Sequence, residues 1–99
     1  MMLHVRWKNL EVSQSIREHA ERTVGGALVR FRDRVASVRI DLADVAYQPG
    51  HGGEKVCRIQ VRGDSACEVI VTDTDRDLYV AIHRAAGRAQ QSMASLLDR

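Results

Sequence analysis

Four histidines, two cysteines and a run of aspartates are the side chains here whose chemistry goes beyond packing. His4, His19, His51 and His83 are scattered, and none stands at zinc-ligand spacing from a second His, Cys or carboxylate. His51 comes closest to a metal grip, with Glu54 three residues on in the loop that begins Tyr47-Gln-Pro-Gly-His-Gly-Gly53. A solvated loop residue explains it better. The glycines of that loop lack the strand–GxxxxGK[ST]–helix setting of a phosphate cradle. Cys57 and Cys67 fall on apolar positions, where cysteine acts as a small inert hydrophobe, and neither is supplied with a base or an oxyanion site. Asp73, Asp75 and Asp77 lack the spaced glycine and terminal Glu of a calcium loop, so helix capping accounts for them. The chain is therefore expected to have no catalytic residues, metal, cofactor or small-molecule substrate.

The remaining chemistry is cationic. Net charge is only +2, but it is uneven. Between residues 22 and 34, Arg22, Arg30, Arg32 and Arg34 face a single acid, Asp33, whereas residues 35–72 carry four basic and five acidic side chains. Arg84 and Arg88 lie four apart near the C-terminus, one turn from each other on a helix. A local basic cluster is the footprint of a polyanion partner, and arginine's planar fork suits phosphate oxygens. The alternative is a solvated helix end whose arginines complement the dipole.

These residues must be positioned by regular elements. Leu78, Ile82, Ala85, Ala86, Ala89, Met93 and Leu96 recur at steps of three and four, the stripe of an amphipathic helix of about six turns. Asp73, Thr74 or Asp75 is the expected N-terminal cap. Leu3, Val5 and Trp7 alternate with His4, Arg6 and Lys8, a half-buried strand. Ser13 is the expected cap of a helix whose stripe runs Ile16, Ala20, Thr23, Val24, Ala27, Leu28, Phe31. Gly25-Gly26 interrupts it at a cost of about 1 kcal/mol each. The stripe keeps phase on both sides, so the helix should persist. Three more alternating stretches follow: Val35–Val45 with Ala36, Val38, Ile40 and Leu42 inward, Lys55–Arg62 with Cys57, Ile59 and Val61 inward, and Ala66–Thr72 with Cys67, Val69 and Val71 inward. A tight turn at Gly63-Asp64-Ser65 pairs residues of the last two strands whose numbers sum to about 127, which keeps the two cysteines from facing each other and predicts no disulfide.

The order β-α-β-β-β-α predicts one α+β domain over residues 1–99, a two-layer sandwich with a four-stranded sheet and both helices on one face. Arg6, Arg39, Arg58 and Arg62 would stand on the open face beside Asp41 and Glu68. No apolar run nears the roughly 20 residues that span a bilayer. The first residues lack a signal peptide's apolar segment, so a cytoplasmic protein with reduced thiols and no membrane partner is expected. The layout resembles double-stranded-RNA-binding domains, which read backbone more than sequence.

Three stretches also resemble the ribosome hibernation-promoting factor and ribosome-associated inhibitor family. One is Trp7-Lys-Asn-Leu-Glu-Val-Ser-Gln-Ser-Ile-Arg-Glu-His-Ala20. Another is Asp77-Leu-Tyr-Val-Ala-Ile-His83, similar to the family's Asp-x-Tyr-x-Ala-Ile-Asp signature. The third joins Phe31-Arg-Asp-Arg-Val35 to the segment from Asp44 through Gly52-Gly-Glu-Lys-Val-Cys-Arg-Ile59. The chain looks like a divergent branch of the short form, without the dimerisation domain of the long form. The resemblance implies a factor that binds ribosomal RNA in the decoding region of the small subunit and inhibits or protects idle ribosomes during stress or stationary phase. It departs from the family at His83, where an acid is usual, and in Gln90–Asp98, where a dense basic tail is usual.

The RNA-binding set expected on this basis is Arg84 and Arg88, then Arg30, Arg32 and Arg34, with Arg6, Lys8, Arg39 and Arg58 on the sheet side. Asp77, Tyr79, Ala81 and Ile82 carry the signature and are read as mainly structural. The alternative is a protein-interaction module that keeps the fold without the RNA site. In that case the neutral end of the last helix, with Met93, Leu96 and Leu97, would dock a partner or a second copy.

Overall fold

The structure, a computed structural model, describes residues 1–44, 53–64 and 66–97. Strand β1 (Met2–Lys8) leads to helix α1 (Gln14–Leu28) and a 3-10 helix (Val29–Arg34). Strands β2 (Val35–Asp44), β3 (Lys55–Gly63) and β4 (Glu68–Asp75) follow, then helix α2 (Leu78–Leu97). The sheet order is β1-β2-β3-β4. Strand β1 runs parallel to β2, and the other neighbours are antiparallel. This is the expected α+β sandwich.

Both helices cover one face because the inward residues of every strand are apolar. Val38, Ile40, Cys57, Ile59 and Val61 are fully buried against Ala20, Val24 and Leu28 of α1 and Ala81, Ile82, Ala85, Ala89 and Met93 of α2. Ser13 caps α1, its hydroxyl accepting from the Ile16 N–H at 3.1 Å. The helix passes through Gly25-Gly26 as expected. Burying a residue such as Leu28 contributes roughly 1.5–3 kcal/mol, enough to offset the glycines. At Leu28 the backbone leaves α geometry (φ −104°, ψ 1°) and tightens into the 3-10 helix, which still delivers Phe31 to the core.

Four local expectations are corrected. The ladder of β2 and β3 shifts between Val35 and Ser37, so Val35 is buried and Ala36 turns outward. The turn after β3 is wider than a two- or three-residue hairpin: Gly63 N–H donates to the Cys67 carbonyl at 2.8 Å, and Ala66 adopts φ 61°. Strand β4 therefore begins at Glu68 and pairs Cys57 with Asp73 and Ile59 with Val71, a register three residues from the expected one. Both cysteines are free. Finally, β4 continues through Asp73, Thr74 and Asp75, so the helix cap passes to Asp77. The glycine loop with Tyr47 and His51, Val45 at the end of the second expected strand, Ser65 in the turn and Asp98 beyond α2 lie outside the described residues.

Candidate nucleic-acid interface

The expected basic residues occupy three separate places. The first is the open face of the sheet, built by strand parity and register. One row across the sheet reads Arg6, Asp41, Arg58, Thr72, and the next reads His4, Arg39, Gln60, Ile70. Asp41 is the hub. Its Oδ1 accepts from Arg6 Nε at 2.9 Å, while Arg58 Nη1 and Arg39 Nε reach its Oδ2 at 3.5 and 3.3 Å. One carboxylate thus holds three guanidinium groups on one face. Arg62 pairs with Glu68 at 3.7 Å. Lys8 stands at the β1 end of the row through Ala43 and Val56. Five strand cations share this face with two acids, so it is cationic overall. A shallow hollow of about 180 Å³ opens here, edged by His4, Ser37, Arg39, Gln60 and Arg62.

The second place is the outer edge of β4. The Gly63–Cys67 bond fixes the odd-numbered residues of β4 as those bonded to β3, which leaves the even-numbered carbonyls pointing outward. Arg84 Nη2 donates to the Thr74 carbonyl at 2.8 Å, and Arg88 Nη1 to the Thr72 carbonyl at 2.6 Å. Asp73 lies between the two guanidinium groups, 3.3 Å from Arg84 and 3.7 Å from Arg88, and Asp75 accepts from Arg84 at 3.0 Å. These two arginines fasten α2 to the edge strand and keep about half of each side chain in solvent.

The third is the 3-10 helix at the end of the sheet where β2 begins and β3 finishes. The Arg30 guanidinium lies over the Phe31 ring at 4.7 Å, a cation–π contact. Arg32 is exposed. Arg34 pairs with Asp64 at 3.0 Å, and its carbonyl accepts from the Asp64 N–H. Of the expected RNA-binding set, Arg84 and Arg88 thus belong to the β4 edge, and Arg30, Arg32 and Arg34 to the 3-10 helix.

The signature residues divide by role. Asp77 Oδ1 accepts from the Tyr79 N–H at 2.9 Å and its carbonyl from the Ala81 N–H at 3.1 Å, opening α2. Asp75 in turn accepts from the Asp77 N–H. Ala81 and Ile82 are fully buried. Tyr79 is nearly half exposed and meets His19 of α1 edge-on, ring centres 4.8 Å apart, at the seam between the helices. The His19 contact joins residues far apart in sequence, and no spacing pattern announces it. Burial, with lesser contributions from the Asp73 and Asp41 charges, pushes the Cys57 thiol up to about 12. That thiol is the opposite of an activated nucleophile. Among the described residues no three His, Cys, Asp or Glu side chains are grouped to hold a metal, and no helix is long and apolar enough to cross a membrane.

A family model described as sigma 54 modulation protein / S30EA ribosomal protein matches residues 3–99. Among solved structures, the fold is similar to the N-terminal domain of Protein Y from Thermus thermophilus, with a TM-score of 0.79 and 25% identity over 97% of this chain and 99% of that one. It is also similar to a ribosomal subunit interface protein from Coxiella burnetii, with a TM-score of 0.81 and 13% identity over the whole of both chains, a likeness of fold alone. No curated protein sequence matches the chain.

Proposed function

The chain belongs to the sigma 54 modulation protein / S30EA ribosomal protein family, and from that premise we propose that it is a non-enzymatic cytoplasmic factor that binds the RNA of the small ribosomal subunit and inhibits or protects idle ribosomes under stress. The observation that carries this reading is the open sheet face. Arg6, Arg39 and Arg58 gather around Asp41 on one face, and each keeps enough of its side chain in solvent to meet a phosphate backbone. Lys8 extends that row. Arg30, Arg32 and Arg34 form a second set of phosphate contacts, and Arg84 and Arg88 contribute only the guanidinium surface left exposed by β4. Recognition is by shape and charge, with no base readout assigned.

The test is co-sedimentation with small ribosomal subunits through sucrose at low and moderate salt. Binding should fall steeply with salt, and each contact removed by Arg6→Gln, Arg39→Gln or Arg58→Gln should flatten the log–log slope by roughly 0.7–0.9. Absence of binding at low salt defeats the reading and leaves a protein-interaction module on the same fold.

A further inference from the structure

The two edges of the sheet are finished differently. On β4, the outward carbonyls of Thr72 and Thr74 are occupied by Arg88 and Arg84. On β1 no hydrogen bond among the described residues reaches the outer edge, although the strand runs for seven residues. Such an edge is a ready template for another extended chain. We infer that the outer edge of β1 binds an extended peptide segment in which acidic and apolar residues alternate.

The side chains of β1 set that chemistry. A strand added to this edge places alternate residues on opposite faces of the sheet. On the open face it meets His4, Arg6 and Lys8; Arg6 already shares its charge with Asp41 of β2, whereas Lys8 has no ion pair among the described residues. On the helix face it meets Leu3 and Val5, which remain only half-buried, whereas Val38 and Ile40 opposite them on β2 are fully buried. Trp7 is 46% exposed although its partner Leu42 is buried. Beside Trp7, a shallow hollow of about 500 Å³ at the β1–α1 junction is lined by Leu10, Val12 and Ile16, with Glu11 and Ser13 at its polar side. The vacant cover on the helix face is thus apolar, and the vacant charge on the other face is negative. A second copy of β1 fits poorly, because two-fold pairing would set basic side chains against basic side chains. Docking here uses the β1 main chain but shares Arg6 and Lys8 with the RNA reading, so the N-methylated peptide is the arm that separates the two.

The probe is an acetylated, amidated seven-residue peptide alternating glutamate and valine, titrated into the full chain. Trp7 is the only tryptophan, so its fluorescence reports on the site. The expected result is a saturable fluorescence change with amide shifts centred on β1. Binding should weaken tenfold or more when the peptide's glutamates become lysines, or when its amides facing β1 are N-methylated, and several-fold with Lys8→Glu. No saturation at millimolar peptide overturns the inference, as does equal binding of the N-methylated peptide. A dimer by sedimentation whose interface excludes the peptide, or a uridine oligonucleotide giving the same β1 shifts, overturns it too. Ribosome binding is not read in this experiment, so the two proposals fail separately.

Discussion

Arg88 donates to the main-chain carbonyl of Thr72 at 2.6 Å, and Arg84 repeats the contact one helical turn away at Thr74. Because both carbonyls point out of the sheet, the two side chains do for β4 what a neighbouring strand would do. They also limit how the same residues serve a phosphate partner, since Asp73 and Asp75 already share their charge.

Replacing both with alanine should cost only about 1 kcal/mol in total, because the two guanidinium groups are half exposed and screened by solvent. The larger effect should be on solubility. With the carbonyls of Thr72 and Thr74 released, light scattering should show more concentration-dependent association than the unsubstituted chain gives. Glutamate at these positions would stand against Asp73 and Asp75 and perturb the fold along with any interface. Arg84→Lys with Arg88→Lys keeps the charge without the fork and is the cleaner test of RNA contact. Unchanged association in the alanine variant would refute the edge-sealing role.

Asp41→Asn should strengthen RNA binding at low salt. It leaves Arg6, Arg39 and Arg58 in place and removes the one negative charge among them. At these separations in a solvated setting the charge is worth roughly 1 kcal/mol, or about fivefold in affinity. Filter binding to ribosomal RNA at two salt concentrations measures it; weaker binding would mean that the arginines need Asp41 for their geometry.

Cys57 should be inert and Cys67 reactive. At pH 8 a thiol reagent should modify one group promptly, in the half-buried turn, and the second only on unfolding. Because the folded state holds the Cys57 proton to about pH 12, well above the ordinary thiol value of 9.0, the unfolded chain deprotonates first. Stability from this group is therefore complete below pH 9 and is lost as pH rises toward 12. Chemical denaturation across that range should show an alkaline decline that Cys57→Ala removes.

Three glycines should respond in opposite directions. A Cβ at Gly63 would stand 2.8 Å from the Arg34 carbonyl oxygen and 3.3 Å from Cys67 Cβ, so Gly63→Ala should cost about 2 kcal/mol. Nothing lies within 4 Å of a Cβ at Gly26 or Gly87, both inside helices. Alanine at either should add roughly 0.5–1 kcal/mol, raising Tm by a few degrees. A loss of stability at Gly87 would overturn this account of α2.

The fold was legible where a single rule governed a segment. The parity of Leu3, Val5 and Trp7, the Ser13 cap and the in-phase stripe across Gly25-Gly26 each follow from local spacing. It was illegible where two rules competed. Asp73 and Asp75 satisfy both a helix-cap reading and strand parity, and pairing with Cys57 and Lys55 decides for the strand. Ala66 at φ 61° occupies a position where glycine would have signalled the wider turn, so the β3–β4 register could not be counted correctly. The outward turn of Ala36 has no local mark. At the candidate site, the residues of the open face could be placed from alternation, including Asp41 and Glu68 beside the arginines. Partners across elements could not: the pairing of Arg84 with Thr74, or of Tyr79 with His19, depends on how α2 settles after the chain has folded back.

The parallel pairing of β1 with β2 also has a consequence for assembly on the ribosome that makes the chain. Every residue of β1 bonds alongside one 35 positions later, Met2 with Ser37 through Lys8 with Ala43. Newly made β1 therefore waits unpaired until translation has passed residue 43. The antiparallel strands β2, β3 and β4, by contrast, close through shorter connections. The slowest contact to form should be the one between the oldest strand and its neighbour, and amides on β1 should be the last to gain protection from hydrogen exchange during refolding.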